Sequence, residues 1–261
     1  MPAPASASPP ASALLLLLAD SRLPVGGHAH SGGIEAAVAA GLVDDEPSLE
    51  RFCASRLATF GLVTAALAAA ACRVASTADG LVAERGSRLA ELDAEADART
   101  ASPALRTASR AQGRALLRAA RALVDEPLPL ARADPHQPVA LGMTAGMLGM
   151  AGAEIALVVA SAAVSGPASA ALRLLGLDPV GVMRMQAGLA EAIDAVARRA
   201  DSLAGQAARH GPAALPAAAA PVLDLLAERH ARGPCDSSPP DQTRHTCAPP
   251  TLEEPCTCTP P

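Results

Sequence analysis

The chain has 261 residues and a formal net charge of −5, and half of its residues are apolar. This composition excludes two classes of protein. An acidic balance argues against a nucleic-acid-binding protein, and the six cysteines lack the spacing of a secreted disulfide framework. Alanine dominates the apolar residues, whereas aromatic residues make up only 1% of the chain. Because alanine is the best helix former, this bias predicts an all-α protein.

The N-terminal region and the most apolar window both argue against targeting to a membrane. A leucine run at 14–18 has no basic residue before it, which a secretory signal peptide requires. The most apolar long window, 139–164, contains Glu154 near its centre. A central charge disfavours membrane insertion by about 3 kcal/mol. We therefore predict a cytoplasmic protein that does not enter the membrane.

The predicted elements begin with an arm rich in proline, alanine and serine, residues 1–11, which we expect to be disordered. The leucine run then predicts a short buried helix at 12–19. A glycine-rich loop follows. After it, Ser31 is the expected N-cap of a helix over 34–40, and Gly41 is expected to end that helix.

The next predicted helix is long and starts after Asp45, a favourable N-cap residue, with Pro47 tolerated in the first turn. Apolar residues recur along it at helical spacing: Leu49, Phe52, Phe60, Val63 and Leu67. We expect the helix to bend at Gly61. An acidic helix is then predicted at 87–99.

A basic helix is predicted at 103–124. Its arginines recur mostly at steps of four residues: Arg106, Arg110, Arg114, Arg118 and Arg121. They fall within an arc of about 120° on one face of the helix. Two interpretations remain open for this face. It is either a solvated surface that pairs with the preceding acidic helix, or a docking surface for an acidic partner.

A buried helix pair is predicted within the segment 139–164, and further helices are predicted in the segments 168–175, 180–200 and 222–232. Gly166 and Pro167 are expected to break the chain between the first two of these. Together, residues 12–232 predict one helical-bundle-like domain of about eight to ten helices.

The last segment, residues 233–261, is rich in proline and carries four of the six cysteines. It has too few apolar residues to form a core, so we predict a disordered tail. Cysteines and a histidine in this tail are potential soft-metal ligands, although their spacing matches no zinc motif: Cys235, His245, Cys247, Cys256 and Cys258.

A pair of histidines, His28 and His30, lies between two glycine pairs in "LPVGGHAHSGG". Imidazole nitrogens bind zinc or nickel, but a strong site needs three or four ligands. A third ligand would have to come from a distant residue such as Asp20 or His136. No lysine is present for a phosphate-binding P-loop, and no G-x-S-x-G nucleophile motif occurs. The sequence thus offers no enzymatic constellation, and it favours the absence of a bound metal.

The stretch "LLLLADSRLPVGGHAHSGGIEAAVAAGLV" resembles the N-terminal signature of the UreF family of urease accessory proteins. The residues that match the signature are Asp20, Leu23, Pro24, Gly26, His30, Ser31, Gly33, Glu35, Ala37 and Gly41. Four later segments are similar to family motifs in the same order: "SRAQGRALLR", "HQPVALGM", "RLLGLDPVGVMRM" and "PVLDLLAERHAR". The resemblance covers residues 12–232, and the first motif is the most specific.

The resemblance implies an all-α, dimerising chaperone with no catalytic site. Such a protein joins UreD/UreH and the GTPase UreG, regulates the GTPase, and helps to deliver nickel to apo-urease. Nickel is then expected to pass through the complex as cargo, with no cofactor held by this chain. The alternative function is a metallochaperone that binds nickel through the histidine pair and the cysteine-rich tail.

Candidate site residues follow from the same resemblance. We predict partner binding by Ser31, Glu35, His30, Arg110, Arg114, Arg229 and His230. The residues that define the signature loop are Asp20, Pro24, Gly26 and Gly33.

Overall fold

A computed structural model describes residues 11–20, 31–77, 81–130 and 132–232. These residues form eleven α-helices and no strand, which confirms the all-α prediction. The helices are α1 (Ala11–Ala19), α2 (Ile34–Ala39), α3 (Glu46–Arg56), α4 (Leu62–Ala75), α5 (Val82–Ala98), α6 (Pro103–Ala120), α7 (Gln137–Met147), α8 (Gly152–Leu175), α9 (Pro179–Gly188), α10 (Ala190–His210) and α11 (Pro221–Arg232). The predicted N-terminal arm, except its last residue, and the predicted tail lie outside the described residues.

Helix α4 forms the centre of the fold and packs against α5, α7, α8 and α10. Half of its residues are alanine, and nearly all of its residues are buried. Two glycines of α7 allow an unusually close approach to it. A Cβ atom on Gly142 would lie 2.0 Å from the carbonyl oxygen of Ala68, and one on Gly146 would lie 2.3 Å from that of Cys72. The backbones of α4 and α7 are therefore in direct contact, which only glycine permits here.

The start of α3 follows its prediction closely. The Asp45 carboxylate accepts the backbone N–H of Ser48 at 2.8 Å, and the Ser48 hydroxyl accepts the backbone N–H of Asp45 at 3.0 Å. Pro47 lies in the first turn, where it lacks no hydrogen bond. This reciprocal pair is a capping box, and it fixes the point at which the helix begins.

A π-helical turn, Leu57–Gly61, joins α3 to α4 without a break. It coincides with the bend expected at Gly61 and produces a continuous helix, Glu46–Ala75. A π turn contains one extra residue relative to an α-helix. When α3 and α4 are counted as one helix, the described residues contain ten helices, within the predicted range.

The predicted break at Gly166 and Pro167 is wrong, because α8 runs through both residues. Proline at this position removes only the hydrogen bond that its N–H would have donated to Ala163. Pro167 is buried, and α8 packs against α3, α4 and α10 along its length. Tertiary packing therefore outweighs the local cost of proline.

Three further helix boundaries differ from their predictions. The segment 180–200 is divided between α9 and α10, with the buried Leu189 at the junction, and α10 then continues to His210. Leu189 follows Gly188, the last residue of α9, and is at once the C-cap of α9 and the N-cap of α10. Helix α5 starts at Val82, five residues before the acidic pattern, and α6 ends at Ala120 instead of 124.

Within the part of the chain that the structure describes, two helices are long and apolar enough to cross a membrane by length and composition alone: Glu46–Ala75 and Gly152–Leu175. In their most apolar windows, 72% and 56% of the residues, respectively, are buried inside the protein. Their apolar surfaces thus face other helices, and both serve as core helices.

Candidate functional site

The described part of the signature segment is held at a junction of three helices. Gly32 and Gly33 have φ values of 68° and 92°, a region that glycine adopts without strain. The Gly32 Cα faces Pro167 of α8 and the guanidinium of Arg56 at the end of α3. The Gly33 Cα faces Leu223 of α11. The signature is therefore a structural connection between α2, α8 and α11, while Pro24, Gly26, His28 and His30 lie outside the described residues.

Ser31 is not the N-cap of α2, which corrects the prediction. The N-cap is Gly33, which has a left-handed conformation and no side chain to accept a hydrogen bond. The Ser31 hydroxyl instead accepts the backbone N–H of Glu35 at 3.4 Å. It still supports the first turn of α2, but from two residues before the N-cap.

Two predicted partner-binding residues, far apart in the sequence, lie together on the surface. Oε2 of Glu35 on α2 is 3.9 Å from Nε2 of His230 on α11. The two side chains are 50% and 66% exposed, respectively. An exposed pair at this distance adds little to stability. Arg229, the neighbour of His230, is exposed as well. We call Glu35, Arg229 and His230 the α2–α11 surface.

A second polar cluster is buried where α5, α6 and the start of α7 meet, and we call it the His136 network. His136 precedes α7 and is 1% exposed. Its backbone N–H donates to Asp93 at 2.7 Å, its Nε2 lies 2.8 Å from an Asp97 carboxylate oxygen, and its Nδ1 lies 3.0 Å from the Ser109 hydroxyl. Every polar atom of the imidazole therefore has a partner.

Arg110 belongs to the same network, unlike the other arginines of α6. Its guanidinium pairs with the carboxylate of Asp93 at 3.1 Å and also with that of Asp97, and it donates to the carbonyl of Asp134 at 2.7 Å. Burial alone would lower the pKa of Arg110, but these carboxylates raise it above its usual value. Of the two interpretations of the arginine stripe, Arg110 follows the first, because it pairs with aspartates of the acidic helix α5. Arg114 is 49% exposed, and its role in partner binding stays a prediction.

Ser109, His136 and Asp97 form the hydrogen-bond chain found in serine hydrolases. Here, however, the Ser109 hydroxyl also accepts the backbone N–H of Gln137 at 3.1 Å. Two cavities among the described residues lie elsewhere, around Arg73 and Thr77. The chain of hydrogen bonds anchors the first turn of α7.

The His136 network explains two of the sequence motifs. In "SRAQGR", Ser109 and Arg110 supply polar groups, and Gly113 leaves room for the backbone of "HQPVAL". A Cβ atom on Gly113 would lie 1.9 Å from the carbonyl oxygen of Pro135. Sequence reasoning considered His136 only as a distant metal ligand and missed this role. The one hint in the sequence was that these two motifs follow each other in the same order as the family motifs that they resemble.

Asp97 is expected to make acid stability depend on this network. Burial raises the pKa of Asp97, but hydrogen bonds from His136 and Arg110 outweigh it, so the pKa lies below its usual value. A depressed folded-state pKa stabilises the protein above the unfolded pKa of about 3.9, and this contribution is lost as the pH falls through the folded value.

We therefore expect Asp97→Asn to lose less stability than the wild type between about pH 5 and about pH 3. Urea unfolding at each pH measures the difference. Asp194→Asn, an exposed change on α10, is the matched control and should keep the wild-type pH profile. Identical profiles for Asp97→Asn and the wild type would contradict the role of Asp97.

Within the described residues, no three histidine, cysteine, aspartate or glutamate side chains are grouped so that they could hold a metal ion. The two described cysteines, Cys53 and Cys72, are buried. Burial raises the pKa of each thiol to about 11, so both stay protonated near neutral pH. The histidine pair and the tail cysteines lie outside the described residues.

Comparison with known proteins assigns the family. The sequence model of the UreF family matches residues 43–190. The urease accessory protein UreF of Mycobacterium sp. (strain JLS) is 44% identical over 218 residues, which cover 83% of this chain and 92% of that protein. The urease accessory protein UreF of Mycobacterium marinum (strain ATCC BAA-535 / M) is 42% identical, over 84% of this chain and 94% of that protein. The urease accessory protein UreF of Mycobacterium tuberculosis (strain ATCC 25177 / H37Ra) is 41% identical, over 84% of this chain and 93% of that protein. The chain therefore belongs to the UreF family of urease accessory proteins.

Proposed function

We propose that this protein acts in urease maturation by joining UreD/UreH and the GTPase UreG on apo-urease. In this role it regulates the GTPase while nickel is inserted, and nickel is the cargo of the complex. The protein works in the cytoplasm as a homodimer and has no catalytic activity of its own. Family membership over most of the chain supports this class of function.

The observation that carries the choice of surface is the contact between Glu35 and His230. These side chains come from two segments that resemble separate family motifs, 195 positions apart, yet the fold brings them within 3.9 Å. Both are at least half exposed, and a contact between exposed polar side chains at this distance contributes little to folding. A carboxylate held in place without a large role in stability suits recognition of a partner.

Glu35→Gln is expected to leave the fold intact and to reduce nickel-dependent urease activation by about tenfold, equivalent to one lost charged contact. The amide keeps the size of the side chain but removes its charge. Glu35 also lies in the first turn of α2, where the helix dipole favours a carboxylate by about 0.3–1 kcal/mol. The change in stability should therefore stay below about 1 kcal/mol.

Circular dichroism and a urease activation assay on the same variant measure both quantities. The control is Glu191→Gln, an exposed glutamate in the first turn of α10, which should cost similar stability and no activation. A folded Glu35→Gln protein with wild-type activation would refute a role of the α2–α11 surface in partner binding.

A further inference from the structure

The arginine stripe of α6 is divided into an internal and an external part. Arg110 is used inside the protein by the His136 network, and its side chain is only 13% exposed. Arg114, one turn later, is 49% exposed, and Arg118 and Arg121 are exposed too. These three positions lie along one side of the helix over about 10 Å. We call Arg114, Arg118 and Arg121 the arginine face.

Three acidic side chains of α5 and of the segment before α7 are already paired with arginines. Asp93 and Asp97 pair with Arg110. The Asp134 carboxylate lies 3.0 Å from Arg132 and 3.9 Å from Arg114. Among the described residues, no carboxylate lies within ion-pair distance of Arg118 or Arg121. Like charges four residues apart on a helix repel each other, and no ion pair with a described carboxylate offsets this repulsion at Arg118 or Arg121.

The helix dipole accounts for part of this arrangement. Arg118 lies in the last turn of α6 and Arg121 is its C-cap, where a positive charge is favourable. That effect is confined to the last turn, whereas Arg114 lies further from the helix end. Stabilisation of the helix end therefore does not require the full length of the arginine face.

We infer that the arginine face is a docking surface for an acidic segment of a partner protein in urease maturation, an inference that rests on the proposed function. The partner chemistry follows from charge complementarity. Guanidinium groups pair with carboxylates through two parallel hydrogen bonds. The protein as a whole carries a net charge of −5, which opposes the approach of a uniformly charged polyanion such as a nucleic acid more strongly than that of a short acidic segment. Aspartates and glutamates spaced along about 10 Å of a partner fit the face.

The test compares full-length Arg118→Glu plus Arg121→Glu with the wild type. Purified UreG, UreD/UreH and apo-urease serve as probes, one at a time, at about 0.05 M and about 0.5 M salt. We expect the Kd for one of them to rise at least tenfold in the variant, and the wild-type affinity to weaken at high salt. Arg118→Gln plus Arg121→Gln should show an intermediate loss. Arg198→Glu plus Arg199→Glu on α10 is the control, since it makes the same charge change at two exposed arginines.

A urease activation assay on the same proteins separates this inference from the proposed function. Wild-type protein that neither binds the probes nor activates urease refutes the proposed function. If the wild type does both and the Arg118→Glu plus Arg121→Glu variant matches it, only the docking surface is refuted. Loss of self-association, or of binding to single-stranded DNA, with no change in partner binding would also overturn the inference. A thermal midpoint equal to that of the control excludes unfolding as the cause.

Discussion

Gly142→Ala is expected to destabilise the protein by about 3 kcal/mol, although alanine is the better helix former by about 1 kcal/mol. The added Cβ atom would lie 2.0 Å from the carbonyl oxygen of Ala68, and that oxygen belongs to the backbone of a buried helix. Neither group can rotate away, so α7 must move away from α4. Such a shift also disturbs the contact at Gly146 one turn further along. The packing cost therefore exceeds the gain in helix propensity.

Urea unfolding of Gly142→Ala, monitored by circular dichroism, measures this cost. Gly205→Ala in the interior of α10 is the matched control, because its new Cβ atom meets only the flexible end of Arg209 at 3.8 Å. The control should be neutral or stabilising by up to about 1 kcal/mol. Equal stability changes in the two variants would show that α4 and α7 are not in close backbone contact.

Arg110→Ala is expected to cost about 3–5 kcal/mol, because it leaves a buried carboxylate without its main partner. The Asp93 side chain is only 5% exposed, and after the substitution its nearest cation would be Arg132 at 3.7 Å. The carbonyl of Asp134 loses a hydrogen bond as well. Both effects weaken the connection between α5, α6 and the start of α7.

Arg114→Ala serves as the comparison for Arg110→Ala. It removes the same side chain one turn later on α6, but from an exposed position 3.9 Å from Asp134, and should cost less than about 1 kcal/mol. Adding Asp93→Asn to Arg110→Ala should recover part of the loss, because the unpaired charge is removed. Similar costs for the two arginines would mean that burial does not distinguish them.

These two arginines show what a single sequence specifies and what it leaves open. Their spacing placed both on one face of a helix, and that placement is observed. The pattern alone did not show that the acidic helix α5 and the segment before α7 would enclose one and leave the other exposed. That difference depends on the angle at which three helices meet, which no local period encodes.

Local chemistry predicted the features that depend on neighbouring residues. The Asp45 cap and the proline in the first turn of α3 are examples, since their hydrogen bonds join residues three positions apart. The path of α8 through Pro167 was not predictable in this way, because buried contacts with other helices decide it. The proximity of Glu35 and His230 likewise required the whole fold.

The π turn at Leu57–Gly61 changes the direction in which side chains point between the two halves of one long helix. Each residue of an α-helix advances the side-chain direction by about 100°, so one extra residue rotates α3 by that angle relative to α4. With this rotation, Leu49 and Cys53 of α3 are buried and α3 packs on α8, while α4 is enclosed on nearly all sides. The inserted residue thus lets a single continuous backbone meet two differently oriented sets of neighbours, without the loop that would otherwise separate two helices.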